Sequence, residues 1–162
     1  MMDDDDDKAF RAGLVSLIGP LRGYARALVG QASAADDLVQ EAMLRALHAQ
    51  RQFMPGSELR AWLFTILRHT WLESQRRLGR EQRATAAMEP ATPTEASQGG
   101  GMALDRLAAA LQALPALQRE ALLLVGAKGM SGAEAARICG VAEGTLRARV
   151  ARARQALRRA FS

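Results

Sequence analysis

The sequence predicts an all-α protein built as two small helical domains joined by a linker. Three observations carry this. Apolar residues recur at spacings of three and four along most of the chain, and no alternating β-branched run interrupts them. Ala and Leu dominate while aromatics make up only 4% of the residues, a composition that favours helix. Residues 84–101 lose the periodicity and carry Pro90, Pro93 and a glycine triplet, as a flexible connector does. The expected organisation is an acidic tail over 1–8, a first domain over 9–83, the linker over 84–101 and a second domain over 102–162.

The opening MMDDDDDK resembles a protease-tag string and is set outside the fold as a disordered tail. From Phe10 to Val29, the residues Phe10, Leu14, Leu17, Leu21, Tyr24 and Leu28 define a helix, with Pro20 as a kink or break and Gly30 as the stop. A second helix starts near Ser33 to Asp36 and carries Leu38, Val39, Ala42, Met43, Ala46 and Leu47. Asp36 and Asp37 are expected in its first turn, where negative charge suits the helix N-terminus. With Gln40 and Glu41 they form a polar outer strip, which without a partner is simply a solvated face.

Arg51 to Glu58 breaks the pattern around Pro55-Gly56. Phe53 and Met54 beside this turn either plug the local core or wall a pocket for an extruded base. In Leu59 to Arg77, Leu63, Ile66, Leu67 and Thr70 can face inward, with Arg60, Trp62, Arg68, His69, Trp71, Arg76 and Arg77 on the remainder. Aromatics interleaved with guanidinium groups suit stacking on unpaired bases while holding phosphates. The plainer role for the tryptophans is as core anchors, a role that suits Trp62 better than Trp71.

Beyond the linker, Leu104 to Ala113 and Ala116 to Ala127 are expected helices separated by Leu114-Pro115. Ser131 and Glu134 then form a capping box, and Gly140 supplies a left-handed stop. On the last helix Leu146, Val150, Ala153 and Leu157 make one aliphatic stripe. Thr145, Arg147, Ala148, Arg149, Ala151 and Arg152 lie away from it. From Ala142 to Ser162 there are six arginines and one acidic residue. A capped short helix, a glycine turn and a helix offering arginines outward is a helix-turn-helix suited to the major groove.

The net charge of +5 conceals a division. Residues 1–8 contribute −4 and 85–100 contribute −2, against +5 from 9–84 and +6 from 101–162. Both domains are therefore basic, which implies a polyanionic partner and salt-sensitive affinity. No nucleophile–base pair, phosphate loop or metal cluster marks an enzyme, so no catalytic residue, cofactor, metal or small-molecule substrate is expected. The single cysteine, Cys139, is expected to be a small buried hydrophobe. No apolar run is long enough to span a bilayer and no signal peptide is seen, so a cytoplasmic protein is expected.

Together these stretches resemble the bacterial extracytoplasmic-function (ECF) sigma factors, and among them the EcfG type of the general stress response. The carriers are Asp36-Asp37-Leu38-Val39-Gln40-Glu41, Phe53 with Pro55-Gly56, and the run Leu59 to Arg68. In the second half they are Leu114-Pro115, Gln118-Arg119-Glu120, Leu124 to Ala127, Gly144-Thr145 and Arg147-Ala148-Arg149. The resemblance implies a region 2 bundle and a region 4 helix-turn-helix bundle. It implies that Asp36, Asp37, Leu38, Gln40 and Glu41 dock on the clamp coiled coil of core RNA polymerase. Gln52, Phe53, Met54, Arg60, Trp62, His69, Trp71, Arg76 and Arg77 would open and hold the minus-ten element of promoter DNA. Thr145, Arg147, Ala148, Arg149, Ala151 and Arg152 would read the minus-thirty-five element, and a NepR-like anti-sigma factor would regulate the chain. His69, Glu73 and Ala148 stand where the family often has Asn, Asp and Ser. Two rival readings are a sigma mimic that sequesters an anti-sigma factor, as PhyR-type regulators do, and a plain helix-turn-helix repressor. The mimic would carry a receiver domain, and the repressor leaves the Trp/Arg segment without a purpose.

Overall fold

A computed structural model describes residues 3–84 and 101–162, and of 82–84 the backbone only. Seven α-helices make up the described residues: α1 (Asp4–Val29), α2 (Ala32–His48), α3 (Leu59–Ala84), α4 (Met102–Ala113), α5 (Ala116–Leu122), α6 (Gly132–Cys139) and α7 (Glu143–Ala160). A 3-10 turn, Gln50–Gln52, follows α2, and a π turn, Leu123–Ala127, prolongs α5. Among the described residues there is no strand. The linker expected over 84–101 falls almost wholly outside the described residues, apart from Ala84, which closes α3, and Gly101 ahead of α4.

Most of the expected inward residues are buried, though Leu47 and Leu117 are exposed and Phe64 and Trp71 join the core unexpectedly. Phe10, Leu14, Leu21, Tyr24 and Leu28 of α1 meet Leu38, Val39, Ala42 and Ala46 of α2 and Leu63, Phe64 and Leu67 of α3. Tyr24 and Phe64 lock edge-to-face at 5.2 Å, a favoured aromatic geometry. In the second domain, Ala121, Leu123 and Leu124 pack with Ala135, Ala136 and Ile138 of α6 and Leu146 and Val150 of α7. The two stripes belong to one continuous apolar core, so the domains close on each other.

Local signals explain most helix ends. Gly30 stops α1 in the left-handed region at φ 89°, and Gly140 does the same for α6 at φ 66°. Ser131 caps α6 by accepting the Glu134 backbone N–H at 3.1 Å, satisfying one of the orphan donors of the first turn.

Three expectations are corrected. The acidic run is not outside the fold: α1 begins at Asp4, with Asp3 as its cap. Four aspartates in the first turn are favourable there because the helix N-terminus is positive. Asp7 is tied further by Arg11 at 3.2 Å and by Gln50 Nε2, which donates to its carboxylate. Pro20 does not break α1, which runs through it. Finally, α2 starts at Ala32, so Asp36 and Asp37 lie beyond its first turn, and Asp36 instead faces Arg22 and Arg26 of α1 at 3.4 and 3.7 Å.

Because Leu63 has no exposure at the meeting point of α1, α2 and α3, Leu63→Ala should lower unfolding free energy by about 2–5 kcal/mol. Urea denaturation followed by circular dichroism measures it; a loss below about 0.5 kcal/mol would place Leu63 outside the core.

Candidate nucleic-acid interface

The last helix presents the arrangement its pattern predicts. Leu146, Val150 and Ala153 are buried, while Thr145, Arg147, Ala151 and Arg152 are exposed and Ala148 is half-buried. Arg147 is steadied by a hydrogen bond to Glu143 one turn back, with 73% of its side chain exposed. Arg149 differs from its neighbours. It is half-buried, and one of its Nη atoms is enclosed with no hydrogen-bond partner among the described residues. Its charge lies close enough to Cys139 to oppose the rise in the thiol pKa, so this guanidinium turns toward α6.

On α3, Trp62, His69 and Arg76 are seven residues apart and fall almost on one line of the helix. His69, Arg76 and Arg77 are exposed. Trp62 is half-buried in a three-ring cluster, 5.2 Å from Phe53 and 5.8 Å from Phe10, with Phe10 and Phe53 themselves 5.6 Å apart. Phe53 therefore plugs the local core, whereas Met54 is 72% exposed beside exposed Gln52. The positions of the two tryptophans are opposite to expectation. Trp71 is the buried one, at 3% exposure, with its indole N–H enclosed. Trp71 stands four residues after Leu67 and eight after Leu63, on the same inward stripe, a spacing that marks it as core. Arg60 is half-buried, 3.6 Å from Glu134 of α6.

On α2, Asp37, Gln40 and Glu41 are exposed, whereas Leu38 is core at 7% exposure and cannot contribute a surface contact. Asp36 is occupied by the two α1 arginines. Glu41 shares Arg45 with Glu73 of α3, at 2.9 and 2.7 Å. Those hydrogen bonds hold the Glu73 carboxyl below its ordinary range and Arg45 above its own. Leu47, expected on the apolar stripe of α2, is instead 40% exposed, and with Leu44, which the periodicity did not single out and which is 53% exposed, it continues the face of Gln40 and Glu41. The inward stripe of α2 is filled by Ala35, Leu38, Val39, Ala42 and Ala46, which leaves Leu47 outside it.

No group of three or more metal-ligating side chains occurs among the described residues, and none of the described helices is long and apolar enough to cross a membrane.

Two basic helical units, one with a Trp/Arg helix and one with a capped helix-turn-helix, define a promoter-recognition protein. Sigma-70 region 2 matches residues 15–81 and Sigma-70, region 4 matches residues 104–157. The chain belongs to the ECF sigma factors of the sigma-70 family, which direct RNA polymerase to promoters. It is similar to the ECF RNA polymerase sigma factor EcfG of Rhodopseudomonas palustris, 44% identical over 150 residues that cover 92% of this chain and 83% of that one. It is similar also to ECF sigma factor SigC of Mycobacterium tuberculosis, 38% identical over 81% of this chain and 72% of the relative. Among solved structures it matches the sigma factor RpoE of Bartonella quintana, solved in complex with the anti-sigma factor NepR. That match has 39% identity and a TM-score of 0.85, and covers 95% of this chain and 97% of that one. Sigma factors are not an enzyme class.

Cys139 sits against α5 at 3% exposure, and burial, with the nearby Glu120 charge, pushes its thiol up to about 12 from an ordinary 9.0. Burial likewise raises the Tyr24 phenol well above its usual range. The folded chain keeps protons that the unfolded chain releases. Stability should therefore be level below pH 9 and fall as pH rises toward 12. Denaturant midpoints between pH 8 and 11 test this; Cys139→Ala should reduce the slope, and an unchanged slope would mean the thiol does not contribute.

Proposed function

We propose that this sigma factor divides its work among three surfaces. The exposed face of α2, with Asp37, Gln40 and Glu41 and the apolar Leu44 and Leu47, docks on the clamp coiled coil of core RNA polymerase. A polar strip with apolar anchors suits such docking: charge complementarity gives orientation and the leucines give buried area. Gln52, Met54 and the outward residues of α3, Arg60, Trp62, His69, Arg76 and Arg77, hold the opened minus-ten element, with Phe53 supporting Trp62 from behind. Trp71 and Leu38 serve this reading as core residues that set the phase of their helices.

Thr145, Arg147, Ala148, Ala151 and Arg152 enter the major groove at the minus-thirty-five element. Arginine to guanine O6/N7 is the commonest specific contact there, and Ala148 is small enough to allow close approach or to meet a thymine methyl. Arg149, turned inward, positions the helix. The observation that carries the reading is the outward Arg147–Arg152 face on a helix fixed by its own aliphatic stripe. The likeness to EcfG and to a sigma factor solved with NepR supports a general-stress role under a NepR-like anti-sigma factor. The protein acts in the cytoplasm as a binding module without catalysis of its own.

Run-off transcription with purified core polymerase on a promoter library tests this reading. Arg152→Ala should lose about 5- to 150-fold in promoter-selective initiation, the worth of one bidentate base contact, and keep core binding. Loss of core binding instead would make Arg152 structural.

Asp37→Arg should weaken the complex with core polymerase several-fold and leave minus-thirty-five duplex binding intact. Gel-shift and polymerase pull-down separate the two, and an unchanged polymerase complex would remove α2 from the docking role.

A further inference from the structure

The segment that joins α2 to α3 folds locally but is placed from outside. Gln52 and Phe53 donate their backbone N–H groups to the Ala49 and Gln50 carbonyls at 2.8 and 3.1 Å, which makes the 3-10 turn. Ser57 donates to the Met54 carbonyl at 3.0 Å around Pro55-Gly56, with Gly56 at φ 91°. Proline followed by a left-handed glycine is the signature of a type II turn. These bonds shape the tip, where Gln52 and Met54 are exposed, without fixing where it stands.

What fixes it is the start of α1. Asp7, Phe10 and Gly13 follow one another in three-residue steps along a ridge of that helix. Each meets one point of the segment or of the α3 start behind it, in chain order. Asp7 accepts a hydrogen bond from Gln50 Nε2 on one carboxylate oxygen, while Arg11 holds the other at 3.2 Å. The Phe10 ring lies 5.6 Å from that of Phe53 and 5.8 Å from that of Trp62. At Gly13 a Cβ would stand 2.4 Å from Leu59 Cδ2, so the bare glycine lets the first residue of α3 lie flush against α1. The match to Sigma-70 region 2 begins only at residue 15, beyond this ridge.

We propose that Asp7, Phe10 and Gly13 are positioning residues for minus-ten recognition: they set the pose of the 50–58 segment, and with it which unpaired base Gln52 and Met54 accept. The proposal rests on the reading of that segment as part of the minus-ten surface. Choice among bases is a matter of geometry. A side-chain amide tells one base edge from another only when its donor and acceptor meet that edge at hydrogen-bonding distance and angle. A tip that drifts by about an ångström keeps its chemistry and loses that alignment. Asp7 suits the task because Arg11 already orients its carboxylate, and a charged acceptor makes the stronger hydrogen bond. The aromatic contact supplies a second point of attachment, which resists rotation about the first.

Run-off transcription by the reconstituted holoenzyme, on promoters varied at every minus-ten base, tests this. Gln52→Ala and Met54→Ala identify the position that the segment reads. At that position Asp7→Ala should lower the preference for the favoured base by about two- to twelvefold, the worth of one hydrogen bond. Gln50→Ala should do the same, and the double variant should lose no more than either alone, since both remove one contact. Preference at the minus-thirty-five element and binding to core polymerase should hold. Asp7→Asn keeps an acceptor oxygen and should restore most of the preference; a full loss there overturns the hydrogen bond as the cause. Asp6→Ala removes an equal charge from the same helical turn and should change nothing. An equal loss in Asp6→Ala would make the effect one of helix-end charge and overturn the proposal. Thermal melting checks folding, and should Asp7→Ala fail it, Gln50→Ala carries the test from the other side of the bond. Folded Asp7 and Gln50 variants with unchanged preference, where Met54→Ala alters it, overturn the positioning role and leave the segment's own role standing. If neither Gln52→Ala nor Met54→Ala alters any minus-ten preference, the reading of the segment falls, and the proposal with it.

Discussion

A carboxylate with no access to water is tolerable only if something charged meets it, and in this fold that is Arg68 reaching Glu120 from the other domain. The constraint reaches in both directions. It fixes the rotation of α3, because Arg68 can reach α5 only when Leu63, Leu67 and Trp71 face the first domain's core. It also fixes where α5 must lie, and so positions α6 and α7, which pack on it. Arg119 reinforces the same point by spending its guanidinium on carbonyls of Leu28, Leu111, Gln112 and Leu114. Burial lowers its pKa accordingly. Closure is not unopposed. Lys128, its pKa lowered by burial and then by the charge of Arg60, brings like charge to the same seam.

One helix therefore serves two masters. Arg60 and Arg68 of α3 meet Glu134 and Glu120 across the seam, whereas His69, Arg76 and Arg77 of the same helix stay exposed, as do Arg147 and Arg152 of α7. The sigma-70 regions matched on either side of residues 85–100 are each a helical unit with an exposed cationic face.

Much of this was legible in the residues, and where it was not the reasons are physical. Caps and left-handed glycines are local, so Ser131, Gly30 and Gly140 announced their helix ends correctly. The stripe of α7 is unambiguous because arginine and leucine segregate cleanly. Trp62 and Trp71 were misassigned because both suit a surface or a core, although nine residues at 100° each set them on opposite sides of α3. Asp4 to Asp7 resembled an appendage; only the helix dipole and the bond from Gln50 show that they belong. The ion pair across the seam was least legible of all. Arg68 and Glu120 are 52 residues apart, each looks like a surface charge within its own helix, and no periodicity joins them.

The most direct test places one photo-crosslinking residue at position 60 of the full chain, where the free chain and the proposed promoter complex offer different neighbours. In the free protein it should capture the α6 segment 131–139, and with core polymerase and promoter DNA the same position should capture the minus-ten strand instead. Capture of α6 in both states, or of DNA in neither, would contradict the account.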